Sequence, residues 1–147
     1  MFQKVKMRNN RKEKLKRLIY SSQPVGFDDH IVRAILSLSR DNNAKNNITG
    51  ALIYRQDLYL QFLEGAEEKV DQTYERIIKD TRHTDIHKLS ESIDNRRYFS
   101  SWAMRGDPEE TWMWSHEEVK SGLMKNLSAH EALSVFERLS RNVDQFN

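Results

Sequence analysis

The sequence predicts an α+β fold with a five-stranded mixed sheet, two helices on one face and C-terminal helices on the other. Short apolar or alternating runs, which are typical of strands, are separated by two amphipathic stretches that are typical of helices. The strand predicted over residues 58–64 carries apolar side chains on both of its faces, so both sides of the sheet need a cover. Two helix-start signals near the C-terminus supply the second cover.

The first strand is predicted over residues 15–21, where Leu18 and Tyr20 share one face because strand side chains alternate. A helix follows from Asp28 or Asp29 to about Asp41, with an acidic start that suits the positive helix end. Its apolar stripe runs at i, i+4 and i+7 through Ile31, Ile35 and Leu38. The polar, Asn-rich residues 41–47 predict a loop.

Two strands over 48–54 and 58–64 form a predicted hairpin, and an amphipathic helix follows over 67–80. Further strands are expected over 86–93 and 99–105. The resulting order is β-α-β-β-α-β, the ferredoxin-like arrangement, plus one strand.

Two capping boxes of the form S-x-x-E, beginning at Ser115 and Ser128, predict two tail helices packed on the open face of the sheet. The apolar positions Ala132, Phe136 and Leu139 give the second of these helices one buried stripe. The tryptophans at 112 and 114 are expected to pack and have no predicted role in chemistry.

Composition places the chain among folded one-domain proteins, with 147 residues, 37% hydrophobic and 31% charged. No apolar run approaches the roughly 20 residues that span a bilayer, and no signal-peptide pattern opens the chain. We therefore expect a cytoplasmic protein without membrane contact. The absence of cysteine excludes disulfides, thiolate nucleophiles and cysteine-based metal sites.

Positive charge is concentrated at the N-terminus, where residues 4–17 hold eight basic side chains and one acidic one. The expected division is a basic arm over 1–14, a globular domain over 15–106 and a helical extension over 107–147. Such an arm can bind nucleic acid or an acidic partner, but a solvated leader is the simpler interpretation.

Several polar side chains fall on predicted core-facing positions. Gln61 lies mid-strand, Tyr20 ends the first strand and Asn43 follows the first helix, while Trp102 and Met104 share one face of the last strand. Each has an ordinary explanation. Tyr20 can be a core tyrosine whose hydroxyl has a hydrogen-bond partner, Gln61 can bond to the backbone, and Asn43 can cap the helix. Trp102 and Met104 can simply pack in the core. Metal binding by the cluster Asp80, His83, Asp85 and His87 is not favoured, because no helix holds these ligands on one face.

The short stretches that contain these residues, taken in chain order, resemble the BLUF family of flavin-based blue-light sensors. The stretches are 17–22 (RLIYSS), 39–43 (SRDNN), 48–52 (ITGAL), 60–65 (LQFLEG), 76–80 (RIIKD), 82–83 (RH) and 102–104 (WAM). They cover most of residues 15–106 and follow the family's order and approximate spacing. Ala103 departs from the polar residue often found between the Trp and the Met, and the basic arm is longer than the family's minimal start.

The resemblance implies a noncovalent FAD, with FMN or riboflavin as possible substitutes, and a role for each matching position. Tyr20 matches the tyrosine that gives an electron and a proton to the excited flavin, and Gln61 matches the glutamine between that tyrosine and the flavin N5/O4 edge. Trp102 and Met104 match positions that respond to the switch. The other implied flavin-binding residues are Asn42, Asn43, Arg76, Ile77, Asp80, Arg82 and His83.

The chemistry suits these residue types, because a phenol is a good one-electron donor and a glutamine amide offers both a donor and an acceptor. Rearrangement of the amide would shift flavin absorption to the red. Without cysteine, the switch has to consist of hydrogen bonds. We expect a non-enzymatic sensor, whose output passes to an unknown partner protein or through self-association as a homo-oligomer.

Two other classes share this topology. A ferredoxin-like RNA-binding module needs exposed aromatic side chains on its sheet and a basic surface, but the part of this chain after the arm is acidic. Nucleic acid is therefore not an expected partner. A small hydrolase needs a phosphate-binding loop, and the five dispersed glycines do not form one.

Overall fold

The computed structural model describes residues 14–100, 102–108 and 114–146, so the basic arm apart from Lys14, and Trp112, lie outside the described residues. The predicted β-α-β-β-α-β order is confirmed, and a short strand and three helices follow it. The strands and helices of that order are β1 (Leu15–Pro24), α1 (Asp29–Lys45), β2 (Thr49–Arg55), β3 (Leu58–Gly65), α2 (Glu67–Ile78) and β4 (His83–Asp94). The later elements are β5 (Arg105–Pro108), α3 (His116–Lys120), α4 (Leu123–Asn126) and α5 (Ala129–Phe146).

The sheet has the strand order β4-β1-β3-β2-β5. Its four longer strands are antiparallel, as in the predicted ferredoxin-like arrangement, and the four-residue β5 runs parallel to β2 at the edge. The pairing of β1 with β3 sets Tyr20 directly opposite Gln61. The sheet register therefore brings together two residues that are 41 positions apart in the chain.

The strand predicted over 99–105 is wrong, because the described residues from 99 to 104 are not in a strand and β5 begins only at Arg105. Side chains from elsewhere take the backbone groups that a strand would pair. Glu64 accepts the N–H of both Tyr98 and Phe99 at 2.8 Å, and Asn43 Nδ2 donates to the Ala103 carbonyl at 3.0 Å. The segment is held as an irregular connection beside β2.

Helix α1 continues four residues beyond its predicted end, through the Asn-rich stretch that was expected to be a loop. Asn43 lies inside its last turn and is buried. Its carbonyl accepts the Ile48 N–H at 2.9 Å while its amide donates to Ala103, so tertiary bonds offset the weak helix preference of asparagine. The predicted core stripe is also displaced: Val32 and Leu36 enter the core.

The two faces of the sheet carry separate hydrophobic clusters, as expected for a sheet covered on both sides. Helices α1 and α2 cover the face of Leu18, Leu52 and Leu63, and the tail covers the face of Ile19 and Phe62. Both capping boxes form. The tail has three helices where two were predicted, because Gly122 takes a left-handed conformation (φ 94°) that ends α3 and opens α4.

Tail residues on the second face include Ala132, Phe136 and Leu139, which are buried, and Trp114, which packs against them. Within residues 14–100, 102–108 and 114–146, no helix is long and apolar enough to cross a membrane.

Candidate functional site

A cleft lies between α1 and α2 above the sheet, on the face opposite the tail helices. Its empty space, open mouth included, is about 810 Å³. The structure brings all nine predicted flavin-binding residues to the wall of this one cleft: Tyr20, Asn42, Asn43, Gln61, Arg76, Ile77, Asp80, Arg82 and His83.

Tyr20, Gln61 and Met104 form a buried hydrogen-bonded chain on the cleft side of the sheet. The Tyr20 hydroxyl donates to Gln61 Oε1, and Gln61 Nε2 lies 3.5 Å from the Met104 sulfur. All three side chains are at most 4% exposed. Burial raises the pKa of the Tyr20 phenol above its usual range, so Tyr20 stays a neutral donor at physiological pH.

The C-terminal end of α1 supplies the two asparagines. Asn43 is buried and its amide is already engaged with the Ala103 carbonyl, while Asn42 is partly exposed at the cleft wall. Arg40, one turn earlier, donates to the Met104 carbonyl at 2.9 Å. The end of α1 therefore holds the backbone carbonyls immediately before and after the Met104 side chain.

Asp80, Arg82 and His83 form the charged wall, the part of the cleft that joins α2 to β4. Arg82 Nη2 lies 2.5 Å from Asp80 Oδ2, and this guanidinium holds the pKa of the Asp80 carboxyl below its ordinary value. His83 contacts the Ile77 carbonyl through Nε2 and the Ser22 hydroxyl through Nδ1, both at 2.7 Å. Because a carbonyl only accepts, Nε2 carries a hydrogen and a neutral ring accepts from Ser22 at Nδ1.

Several cleft residues were missed by the sequence reasoning. Ile35 and Leu38 were predicted to face the core, but both line the cleft, and Leu38 is 52% exposed. Their helical spacing with Asn42 is a signal that could have placed them on the same face. Arg76 is positioned by its 3.2 Å bond to Thr73, another missed residue. The remaining missed residues are Ser39, Leu52, Tyr59 and Leu63.

Trp102 and Met104 were predicted to share one buried strand face, and the structure separates them. Met104 is 1% exposed and touches Gln61, whereas Trp102 is 38% exposed and does not line the cleft. The cause is that the described residues between 99 and 104 are not in a strand, because side chains alternate in this strict way only within a strand.

The histidines and aspartates near β4 do not converge. His83 bonds to Ser22 and Ile77, while His87 pairs with Asp85 at 2.9 Å. Throughout the part of the chain that the structure describes, no group of three or more metal-ligating side chains is present.

The cleft combines apolar walls with a few convergent polar groups, which is the pattern of a small-molecule site. A family model described as sensors of blue light using FAD matches residues 15–105. The chain belongs to the BLUF family. This family binds FAD as its chromophore and senses blue light, and nothing in the comparisons supports the RNA-binding alternative.

BLUF relatives include photoactivated adenylate cyclase subunit beta of Euglena gracilis, 36% identical over 78 residues. That match covers 52% of this chain and 9% of the cyclase subunit, so the chain corresponds to a small part of that protein. The solved structure of BlsA in its photo-activated state is 29% identical, with a TM-score of 0.70, covering 84% of this chain and 92% of BlsA. A bacterial light-regulated adenylyl cyclase is 37% identical, with a TM-score of 0.64, covering 82% of this chain and 36% of the cyclase.

Proposed function

We propose that this chain is a blue-light photoreceptor that holds FAD noncovalently in the α1–α2 cleft, with Tyr20 and Gln61 as its photoactive pair. The observation that carries the proposal is the buried hydrogen bond from the Tyr20 hydroxyl to Gln61 Oε1, in a cleft lined by every predicted flavin-binding residue. FMN and riboflavin present the same ring and are expected to substitute.

The residues that line the cleft fit a flavin. Ile35 and Leu38 offer apolar surface to a conjugated ring, and Asn42 and Gln61 offer amides to its polar edge. Arg76 and Arg82 would hold the hydroxylated and phosphorylated side chain, since guanidinium cations suit phosphate and hydroxyl oxygens. His83 would line this part of the site, because both of its ring nitrogens are already bonded to Ser22 and Ile77. Asp80 would orient Arg82 for that contact through their ion pair.

When bound, FAD would supply the absorption of blue light and, in its excited state, an acceptor for one electron. Tyr20 is the proposed donor of that electron, because its phenol is oxidisable and buried beside Gln61. An oxidised phenol becomes a strong acid, and Gln61 Oε1 is the acceptor already bonded to the Tyr20 hydroxyl. Return of the electron and the proton restores the neutral tyrosine, so the lasting change is the hydrogen-bond arrangement of Gln61.

Gln61 is the proposed switch. Its amide accepts from Tyr20 at Oε1 and points Nε2 at the Met104 sulfur. Rotation or tautomerisation exchanges the donor and acceptor ends, so the group next to Met104 changes from a donor to an acceptor. A thioether sulfur accepts weakly and cannot donate, so Met104 would lose this contact and its segment would shift.

The output proposed for this chain is non-enzymatic. We infer that the change at Met104 passes to a partner protein or alters a homo-oligomer, with Trp102 exposed at the surface of the same segment. We also retain the division into a basic arm (1–14), the flavin domain (15–106) and a helical extension (107–147). A cytoplasmic location remains a prediction from composition.

Absorption spectroscopy of the purified chain tests the proposal. A yellow protein is expected, whose main flavin band shifts to the red under blue light and recovers in the dark. A colourless protein that takes up no FAD, FMN or riboflavin on reconstitution would refute it.

Two substitutions test the photoactive pair. Tyr20→Phe and Gln61→Leu should keep the flavin but abolish the red shift, because each removes one partner of the buried bond. The matched controls are Tyr54→Phe, which lies outside the cleft, and Gln72→Leu on exposed α2 surface. A full photocycle in either cleft variant would contradict the assigned roles.

A further inference from the structure

Tyr59 places a second buried phenol in the wall of the cleft. Its side chain is 3% exposed, and its hydroxyl is shielded from solvent with no hydrogen-bond partner in the described part of the chain. Buried polar atoms are almost always paired, so an unpaired phenol in a ligand cleft indicates a partner that the bound ligand supplies. The sequence resemblance assigns no role to this position.

The position of Tyr59 follows from the β3 register. It lies two residues before Gln61, so both side chains project from the same face of the strand, about 7 Å apart along it. Its neighbour on β1 is Ser22, whose hydroxyl contacts His83, and its ring packs 6.4 Å from the Phe27 ring. Tyr59 is therefore next to the switch residue and next to the charged wall.

The electrostatic surroundings of Tyr59 agree with this placement. Burial raises the pKa of its phenol; Arg82 opposes that rise, and Asp80 and Asp28 add to it. The hydroxyl thus stays protonated at neutral pH and can donate one hydrogen bond and accept another. Apolar Ile35 and Leu38, which also line the cleft, belong to α1, whereas Tyr59 belongs to β3.

We propose that the Tyr59 hydroxyl is a further flavin-binding group, and that it bonds the ribityl side chain rather than the ring. The inference rests on the proposed function and assigns one more residue to the binding of the flavin. The apolar α1 wall suits the conjugated ring, whereas the hydroxyl-rich ribityl chain suits the wall that carries Tyr59, Asp80 and Arg82. Binding would then supply a partner to a phenol that has none among the described residues.

The test compares Tyr59→Phe with the matched control Tyr54→Phe in the 147-residue chain. Tyr54 packs against the same hydrophobic cluster but does not line the cleft. Flavin-free protein is titrated in the dark with riboflavin and with lumiflavin, which has the ring but no ribityl hydroxyls, and binding is read from quenching of flavin fluorescence. Tyr59→Phe should weaken riboflavin binding about tenfold and leave lumiflavin binding unchanged, while Tyr54→Phe changes neither.

Thermal unfolding of the flavin-free variants separates a ligand contact from a structural one. Because the phenol is unpaired without flavin, Tyr59→Phe should keep or slightly raise the unfolding temperature. A lowered temperature together with unchanged riboflavin affinity would assign the hydroxyl to the fold and overturn the proposal. Equal weakening of both ligands would overturn the ribityl assignment. If the unsubstituted chain binds neither ligand, the proposed function itself fails, and that result cannot be confused with the others.

Discussion

The two faces of the sheet use the same strands for different purposes. The tail face is a packed cluster of apolar residues, in which the Phe62 ring contacts those of Tyr98, Phe99 and Phe136 at centroid distances of 5.3 to 5.7 Å. The cleft face carries Tyr20 and Gln61 and leaves an opening between α1 and α2.

Strand β3 shows the difference within one segment. Leu58, Leu60 and Phe62 enter the tail-face core, while Tyr59 and Gln61 line the cleft one residue away. Because strand side chains alternate, the packing on one face can hold the backbone rigid while the other face keeps polar groups in a fixed geometry. The residues that stabilise the fold and the residues proposed for the chemistry thus lie on opposite faces of the same sheet.

The largest expected effect is on the tail face. Phe62→Ala should lower the free energy of unfolding by about 3–5 kcal/mol, because it removes a fully buried ring and leaves a cavity among three aromatic neighbours. Urea unfolding measures the change. The cleft-face control Leu38→Ala, at a side chain that is 52% exposed, should cost less than about 1 kcal/mol. Equal losses in the two variants would show that the faces do not differ in this way.

A smaller effect is expected where β3 is joined to the irregular 99–104 segment. Glu64→Ala leaves the buried Phe99 N–H and its neighbour at Tyr98 without their acceptor, which should cost about 1–3 kcal/mol. Thr49→Val removes only one of the donors to Glu64 and should cost less. If denaturant unfolding shows no difference from the unsubstituted chain, Glu64 does not anchor this segment.

The smallest effect is expected on the charged wall of the cleft. The pKa of Asp80 is lowered from its ordinary value of 3.8, so the carboxylate contributes stability above that value and loses it as the pH falls through the folded-state pKa. Asp80→Asn should therefore cost under about 1 kcal/mol at pH 7, since the pair is partly exposed. Urea unfolding midpoints of Asp80→Asn and of the unsubstituted chain should therefore move closer together as the pH falls below about 3.8. A difference in midpoint that does not depend on pH would contradict the assigned ion pair.

Much of the site could be predicted from sequence, because its residues lie in short motifs whose order along the chain is informative. All nine predicted binding positions line the cleft, although their roles remain proposals. Tyr59 was not singled out as a site residue, because a tyrosine in a strand is an ordinary core residue. Only the lack of a partner for its hydroxyl among the described residues distinguishes it, and that is a property of the folded chain.

By itself, the sequence determined the β-α-β-β-α-β order, the two-sided cover of the sheet and the helix starts at Ser115 and Ser128. These features depend on periodicity and capping, which act within a few residues. Only the tertiary structure decided that α1 runs through Asn43, that the strand expected from residue 99 begins only at Arg105, and that Met104 turns inward while Trp102 stays exposed. The physical reason is competition for backbone hydrogen bonds, because Glu64, Asn43 and Arg40 bind the groups that a strand would have paired.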